Sequence, residues 1–396
     1  MTHSVTLALV PFNVTSVETL PLFAMNSHDL PPELWLLIFS ITLPSTTDPY
    51  ADERRAFRPS PGQENKQHHE LAVQLALVCR TWHALLLPTL CRDVKLWGRP
   101  IPLPQHVRRV VLPYIMTTMD RHPHNRSTVV EHLRQCTQIE TLCRPPALAI
   151  GKPLPGPPAI ALPSLRRLEW CHLSTLDRSG GINSLVDVLS QSPNLQYLFV
   201  SGLFCENISL NTQRHPHLPA LATLRLRYHN DNFLQCVGGW SLPVLKTVIL
   251  DVAPSWYLNY NSFYSDFWGK LGRNLVRVEL GKDTRFSSAD YISPCLQACP
   301  ALQDLGYYVF FTAYPRGLPL ISHRSLRRVR LHAAPNGTLD HQEMWHTLRG
   351  HFVVLNHPGM ERLTTFIRHG KWDTLVQDPQ WLAIEDEVTA RGRGIV

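Results

Sequence analysis

A six-residue phrase, Leu-x-x-Leu-x-Leu with Val, Trp or Tyr standing in at its later places, returns along most of this chain. It narrows the possible folds more than any other feature. Strong copies begin at Leu165, Leu195, Leu221, Leu245, Leu275, Leu302 and Leu326, at intervals of 30, 26, 24, 30, 27 and 24 residues. Weaker copies sit at Val107, Ile139 and Met360, and several strong ones follow a proline: Pro163, Pro193, Pro219, Pro243 and Pro300. The last two apolar places are two residues apart, so they share one face of a short strand while the residues between them point to the other. Helical stretches are predicted over 182–191, 263–271 and 291–298, ahead of several copies. A strand and a helix per unit, stacked, make a solenoid with its strands on a concave face. The alternative is an ordinary α/β domain whose strands happen to start with Pro-x-Leu.

The intervals bracket or slightly exceed the roughly 20–29-residue period of leucine-rich repeats, and the phrase resembles degenerate repeats of that class. It departs from them at the turn. The Asn expected three residues after the strand is replaced by Leu173, Leu203, His229, Ala253, Asp283, Phe310 and Ala334. On this reading the concave face carries Arg167, Glu169, Tyr197, Phe199, Thr223, Arg225, Arg227, Thr247, Ile249, Arg277, Glu279, Asp304, Arg328 and Arg330. Aromatic and Arg side chains are frequent anchors of protein interfaces. Arg167, Tyr197, Phe199, Arg225, Arg227, Arg277, Arg328 and Arg330 are therefore the substrate-binding candidates, and their charge favours an acidic or phosphorylated protein partner. Solvated strand faces are the plainer explanation of the same charges.

Ahead of the repeats lie two amphipathic stretches. Pro31 and Pro32 suit a helix start and Glu33 lies in its first turn, followed by Leu34, Leu37, Ile38 and Ile41 at helical spacing. In the second stretch Leu71, Leu75, Val78, Trp82, Leu85 and Leu86 recur every three or four positions, and Pro88 is expected to end it. Spacing alone fits either a helical hairpin within a larger core or a small docking module. The residues go further. Leu30-Pro31-Pro32-Glu33-Leu34 with Ile38-Phe39, then Leu77-Val78-Cys79-Arg80-Thr81-Trp82, resembles the F-box, and Leu90 to Leu96 is similar to the strand that commonly follows it. The likeness is to fungal-type F-box-like proteins with degenerate leucine-rich repeats. It implies that Leu30, Pro31, Ile38, Phe39, Leu77, Val78, Cys79 and Trp82 form or support a face for a Skp-family adaptor. The partners implied are that adaptor, a cullin scaffold and an unknown protein substrate. One departure is the polar, Pro-broken stretch 43–69, read as a disordered insert, which a module can tolerate because loop closure cost grows slowly with length.

The expected organisation is α/β: an N-terminal tail (1–26), a small helical F-box-like module (27–98) and an irregular leucine-rich-repeat solenoid (99–372). A tail or short helix (373–396) follows, with Gln380 to Thr389 as the candidate helix and Arg391 to Gly394 as a flexible end. The nine cysteines show no Cys-x-x-Cys pair, which fits reduced thiols in a cytoplasmic or nuclear compartment. Cys295 and Cys299 read as packing on a helix rather than metal ligands. No membrane span is expected, and the net charge of +7 is spread in isolated Arg pairs without a nucleic-acid motif. No Gly-x-Ser-x-Gly elbow, phosphate-binding Gly loop or His-Glu-x-x-His helix appears. The expectation is a non-enzymatic substrate receptor of an SCF-type cullin-RING ubiquitin ligase, without cofactor or metal. A repeat-based interaction protein whose F-box-like region is only a structural cap is the second reading.

Overall fold

The structure is a computed structural model that describes residues 30–43, 65–96, 101, 103–112, 131–144, 160–172, 185–202, 215–228, 231–251, 260–281, 290–315 and 322–396. Among these, twelve strands form one sheet in which spatial order equals chain order. They are β1 (Asp93–Lys95), β2 (Arg109–Val111), β3 (Thr141–Arg144), β4 (Arg167–His172), β5 (Tyr197–Gly202) and β6 (Thr223–Tyr228). The second half comprises β7 (Thr247–Leu250), β8 (Arg277–Leu280), β9 (Asp304–Tyr308), β10 (Arg328–Ala333), β11 (Thr365–Gly370) and β12 (Gly394–Ile395). Every neighbouring pair is parallel. A sheet in which each strand pairs only with its predecessor and successor is a stack of like units, hence a solenoid.

Each strong copy of the sequence phrase begins two residues before a strand, from Leu165 and β4 to Leu326 and β10. The Pro-x-Leu prefix now has a cause. The amides of Leu165, Leu195, Leu221, Leu245 and Leu302 each donate to the carbonyl three residues earlier, closing a tight turn. Pro163, Pro193, Pro219, Pro243 and Pro300 occupy the second position of those turns, where their fixed φ is pre-set. Where Arg324 replaces the proline, the Leu326 amide donates instead to Nδ1 of His323. Units are then stitched at the strand start. The carbonyls of Arg166, Gln196, Ala222, Lys246, Val276, Gln303 and Arg327 each accept two consecutive amides from the next unit.

The register lines up one apolar row through the stack: Leu142, Leu168, Leu198, Leu224, Val248, Val278, Leu305, Val329 and Phe366. All nine are completely buried, and each contributes about 2 kcal/mol of burial. The helices Leu185–Ser190, Asp231–Gly238, Tyr260–Leu271 and Ile292–Ala298 pack their apolar sides into this core. So do His341–Leu355 and Pro379–Ala390. His341–Leu355 starts at a full capping box, with Asp340 accepting from the Glu343 amide and the Glu343 carboxylate accepting from the Asp340 amide.

Three helices precede the sheet: α1 (Pro32–Thr42), α2 (Asn65–Ala76) and α3 (Arg80–Leu90). They close over a separate small core of Phe39, Leu43, Ala72, Ala76 and Leu86, flanked by Trp35 and Trp82. The second amphipathic stretch is therefore two helices. Leu77 and Val78 form a turn, and the Cys79 sulfur caps α3 by accepting from the Trp82 amide. Pro88 does not end α3 but lies inside it, two residues before its last residue. The missing N–H falls in the last turn, where one lost bond is tolerated.

Three further expectations change. Residues 65–69 of the supposed insert are helical, and residues 44–64 lie outside the described residues, as does the N-terminal tail 1–26. The anchor of β11 is Leu363 rather than Met360, whose carbonyl instead closes the turn onto the Leu363 amide. The end of the chain is not a loose tail. Arg393 donates to the carbonyls of Leu355, His357 and Met360 and to Oδ1 of Asn356, and β12 adds to β11. Arg393 thus caps the C-terminus of His341–Leu355, where a cation suits the helix dipole. Of the positions that lack the repeat Asn, Phe310 and Ala334 are described, and Asn336 bridges to the Phe310 carbonyl at 2.6 Å.

Candidate functional site

Two surfaces hold the sequence-derived candidates. In the helical module, Trp35, Phe39 and Trp82 form an aromatic cluster with ring centroids 4.6–5.9 Å apart. Phe39 is the centre of the module's own core, so it supports a docking face without forming it. Of the two roles expected for it, forming or supporting that face, the supporting one fits its burial. Trp82 is half-buried in the same cluster and Leu30 is half-buried, while Pro31 is exposed as the N-cap of α1. The outward side of α1 is apolar as well. Leu34, Leu37, Ile38 and Ile41, at the i, i+3, i+4, i+7 spacing of one stripe, are 44%, 56%, 38% and 72% exposed. At the α2–α3 turn Leu77 and Val78 stand 77% and 62% exposed. Leu34, Leu37 and Ile41 were visible in the helical spacing but not as site residues, because spacing alone does not say which of two apolar faces turns inward.

The second surface is the face of the sheet opposite the apolar row. Two register rows cross it. One runs Arg167, Tyr197, Thr223, Thr247, Arg277, Asp304, Arg328, and the other Glu169, Phe199, Arg225, Ile249, Glu279, Gly306, Arg330. The alternation read from sequence thus places these side chains on one face, as expected. Their exposure differs from expectation. Arg167, Tyr197, Phe199 and Arg225 are buried, Arg227, Arg277 and Arg330 are half-buried, and only Arg328 is exposed.

Pairing accounts for this. Arg167 donates to Glu169 at 2.7 Å and lies over the Tyr197 ring at 4.0 Å. Arg225 donates twice to Asp251, at 2.7 and 2.9 Å, and lies over Phe199 at 5.4 Å. Arg227 reaches the same Asp251 oxygen at 3.4 Å, and Arg277 pairs with Glu279 at 3.1 Å. Arg328 and Arg330 both reach Asp304. Burial penalises the Arg225 cation most, but Asp251, Tyr197 and Glu279 together outweigh that and raise the guanidinium pKa. Arg330 goes the other way. Burial lowers it and neighbouring Arg277 and Arg328 add to the drop, against the pull of Asp304. At the other end, burial and the nearby Glu169 push the Cys143 thiol, hydrogen-bonded to that carboxylate, well up.

Asp251 is the residue that the sequence reading missed. It stands one place beyond the Leu-x-x-Leu-x-Leu phrase, yet it continues the alternation of Thr247 and Ile249. Gly281, on the next unit, is tied to it: a Cβ there would overlap the Asp251 carboxylate. The open, six-arginine surface expected from sequence is therefore a lattice of internal ion pairs through most of its length.

Elsewhere, a groove of about 350 Å³ between Leu133 and Ser164 is lined by Cys136, Ile139, Ile160 and Leu162, with no carboxylate or histidine. Among the described residues no His, Cys, Asp and Glu group is placed to hold a metal ion. Cys295, in the middle of Ile292–Ala298, and Cys299, its C-cap, are fully buried. Among the described residues no helix is long and apolar enough to cross a membrane.

Comparison with known proteins adds little to this geometry. No protein-family model and no curated protein matches the chain. Among solved structures it is similar to one described as "Crystal structure of TLR13-ssRNA13 complex", at 12% identity and a TM-score of 0.29. That alignment covers 70% of this chain and 41% of the other, so the chain spans less than half the length of its neighbour. A likeness this distant carries no functional argument.

Proposed function

We propose that this chain is a non-enzymatic substrate receptor of a cullin-RING ubiquitin ligase. Its helical module docks a Skp-family adaptor and its repeat sheet holds a protein substrate. The observation that supports it most is the double-sided apolar character of α1. One side, with Phe39 and Trp35, completes the module's core, and the other leaves Leu34, Leu37, Ile38 and Ile41 in solvent. Apolar side chains exposed in a contiguous stripe mark a helix that lies against a second protein. Leu77, Val78 and Cys79 match the most specific part of the F-box resemblance and fall at the α2–α3 turn. There Cys79 serves as the cap that holds the turn, and the two apolar residues remain outside.

The test is capture of a purified Skp-family adaptor by the full chain, compared with an Ile41→Asp, Leu77→Asp variant. We expect binding by the wild type and its loss in the variant, with an unchanged melting profile. A wild-type chain that captures no adaptor rules the reading out.

A second reading, an interaction scaffold with no ligase role, is favoured by one observation. The α1–α3 core is joined to the sheet through β1, which pairs with β2 directly after α3. That placement suits a terminal cap, which repeat stacks need to cover their first unit. Both readings leave substrate or partner binding on the sheet, so the adaptor experiment separates them.

A further inference from the structure

The arginines of the polar face share buried carboxylates, but a second set of cations has none. Spatial order equals chain order in the sheet, so the turns that lead into its strands lie side by side along one edge. Each turn presents the two residues before its anchor and the one after it. Arg166, Lys246 and Arg327 stand at the last of these positions, directly before β4, β7 and β10. Arg273, Arg324 and Arg362 stand at the earlier ones, before β8, β10 and β11. All six are exposed, and among the described residues none of them is ion-paired. At the same positions from β2 to β11 the acids are Glu140, taken by Arg108 at 3.8 Å, and Glu361. Cations that are isolated in the sequence are thus gathered on one edge. With strands about 4.8 Å apart, the row from β4 to β11 runs roughly 35 Å.

The geometry points to this turn edge as a peripheral docking surface for an anionic phospholipid bilayer. Its cations lie against the headgroups and the adjoining groove takes an apolar segment of a lipid chain. Two observations choose a lipid surface over other polyanions. The turn positions carry no Phe, Tyr or Trp, the platforms on which single-stranded nucleic acid stacks. The groove of about 350 Å³ opens between the turns before β3 and β4, with Leu133, Cys136, Ile139, Ile160 and Leu162 for walls. Exposed Arg134, Ala161 and Pro163 stand around it, and Arg166 follows in the same turn. An apolar groove bordered by guanidiniums matches an anionic amphiphile. A nucleic acid or an acidic peptide would use the charges and leave the groove empty. Apolar insertion and a polybasic patch are also the two signals that together hold a protein on a membrane. The surface is separate from the α1 stripe and from the polar face, so it can act alongside either.

The test is co-sedimentation of the full chain with vesicles of phosphatidylcholine alone, and with vesicles in which one third of the lipid is phosphatidylserine. The wild type should partition onto the phosphatidylserine vesicles and stay off the neutral ones. Raising NaCl from about 0.1 M to about 0.5 M should release most of it. Arg327→Glu with Arg362→Glu should lower the partition coefficient at least about tenfold, since each basic residue near such a surface contributes about fivefold. The milder Arg327→Gln with Arg362→Gln should fall between that variant and the wild type. Arg349→Glu with Lys371→Glu makes the same change in net charge at exposed positions away from the turn edge, and should bind as the wild type does. Ala161→Glu, which sets a carboxylate at the groove, should weaken partition several-fold.

Equal partition onto neutral and anionic vesicles overturns the proposal, as does full binding by the Arg327→Glu, Arg362→Glu variant. Equal losses in the two double-Glu variants would make the effect one of net charge and overturn it as well. If Ala161→Glu binds vesicles as the wild type does, the groove has no share and the lipid assignment falls. A wild type that ignores the vesicles but binds an RNA oligonucleotide or polyglutamate saturably gives the edge to another anion and overturns the lipid assignment too.

Discussion

The helical module and the repeat sheet place their side chains in opposite ways. On α1, Leu37 and Ile41 face solvent, although burial of such groups is the main driving force of folding. On β6 and just beyond β7, Arg225 and Asp251 are buried, although charges are costly to bury. The second arrangement is explained by an internal partner, and the first is the one the proposed adaptor would cover. Exposed apolar surface and buried charge are thus both signs of an unfinished or a finished pairing.

The buried pair gives the largest expected effect. Asp251→Ala leaves Arg225 in the interior without the carboxylate oxygen that accepts two of its hydrogen bonds, and should cost about 3–5 kcal/mol in chemical denaturation. Replacing both, as Arg225→Met with Asp251→Leu, should recover most of it. A single mutant as stable as the wild type would show that the face is wetter than its burial indicates.

Acid should weaken the same region. His351 sits inside the sheet–helix core, its Nε2–H donating to the Thr312 carbonyl at 2.9 Å and its Nδ1 accepting from the Tyr307 hydroxyl at 3.2 Å. Burial pushes its pKa from 6.5 down to about 4, partly offset by the backbone bond to Thr312. The unfolded chain therefore takes a proton that the folded chain refuses. The stabilisation is complete above pH 6.5 and is lost as pH falls towards 4, by about 3 kcal/mol from this group. Denaturation midpoints measured across that window should show the slope, and His351→Gln should flatten it. A smaller effect is expected at Gly281→Ala, where the added methyl displaces the Asp251 carboxylate at a cost of about 1–3 kcal/mol.

How far the sequence foretold these features depends on their range. Strands β4 to β10 were legible because each is announced locally, by an anchor leucine, a turn and alternation. The alternation also placed Arg225 and Arg330 on the right face. What it could not show is the partner of each arginine, since Asp251 lies 26 residues from Arg225, one unit along the stack. The break at Leu77 to Cys79 was hidden for a different reason. The apolar period runs through it unchanged, and only the capping sulfur marks the new helix. Arg393 reads as part of a flexible end because nothing local announces its acceptors, which lie 33–38 residues earlier. The capping box at Asp340 and Glu343 was a local signal and could have been read.

The outer stripe of α1 should give the smallest effect on stability and the largest on binding. Ile41→Asp is expected to shift unfolding by less than about 0.5 kcal/mol, as exposed substitutions do. Phe39→Ala, two residues earlier on the inner face of the same helix, should destabilise the module by about 3–5 kcal/mol. Urea melts followed by the fluorescence of Trp35 and Trp82 would separate the two. The most direct measurement is adaptor binding by the full chain and by the Ile41→Asp, Leu77→Asp variant, with purified Skp-family adaptor and calorimetry. A saturable complex is expected for the wild type, none for the variant, and equal melting temperatures for both chains. Equal adaptor binding by both, or none by either, would contradict it.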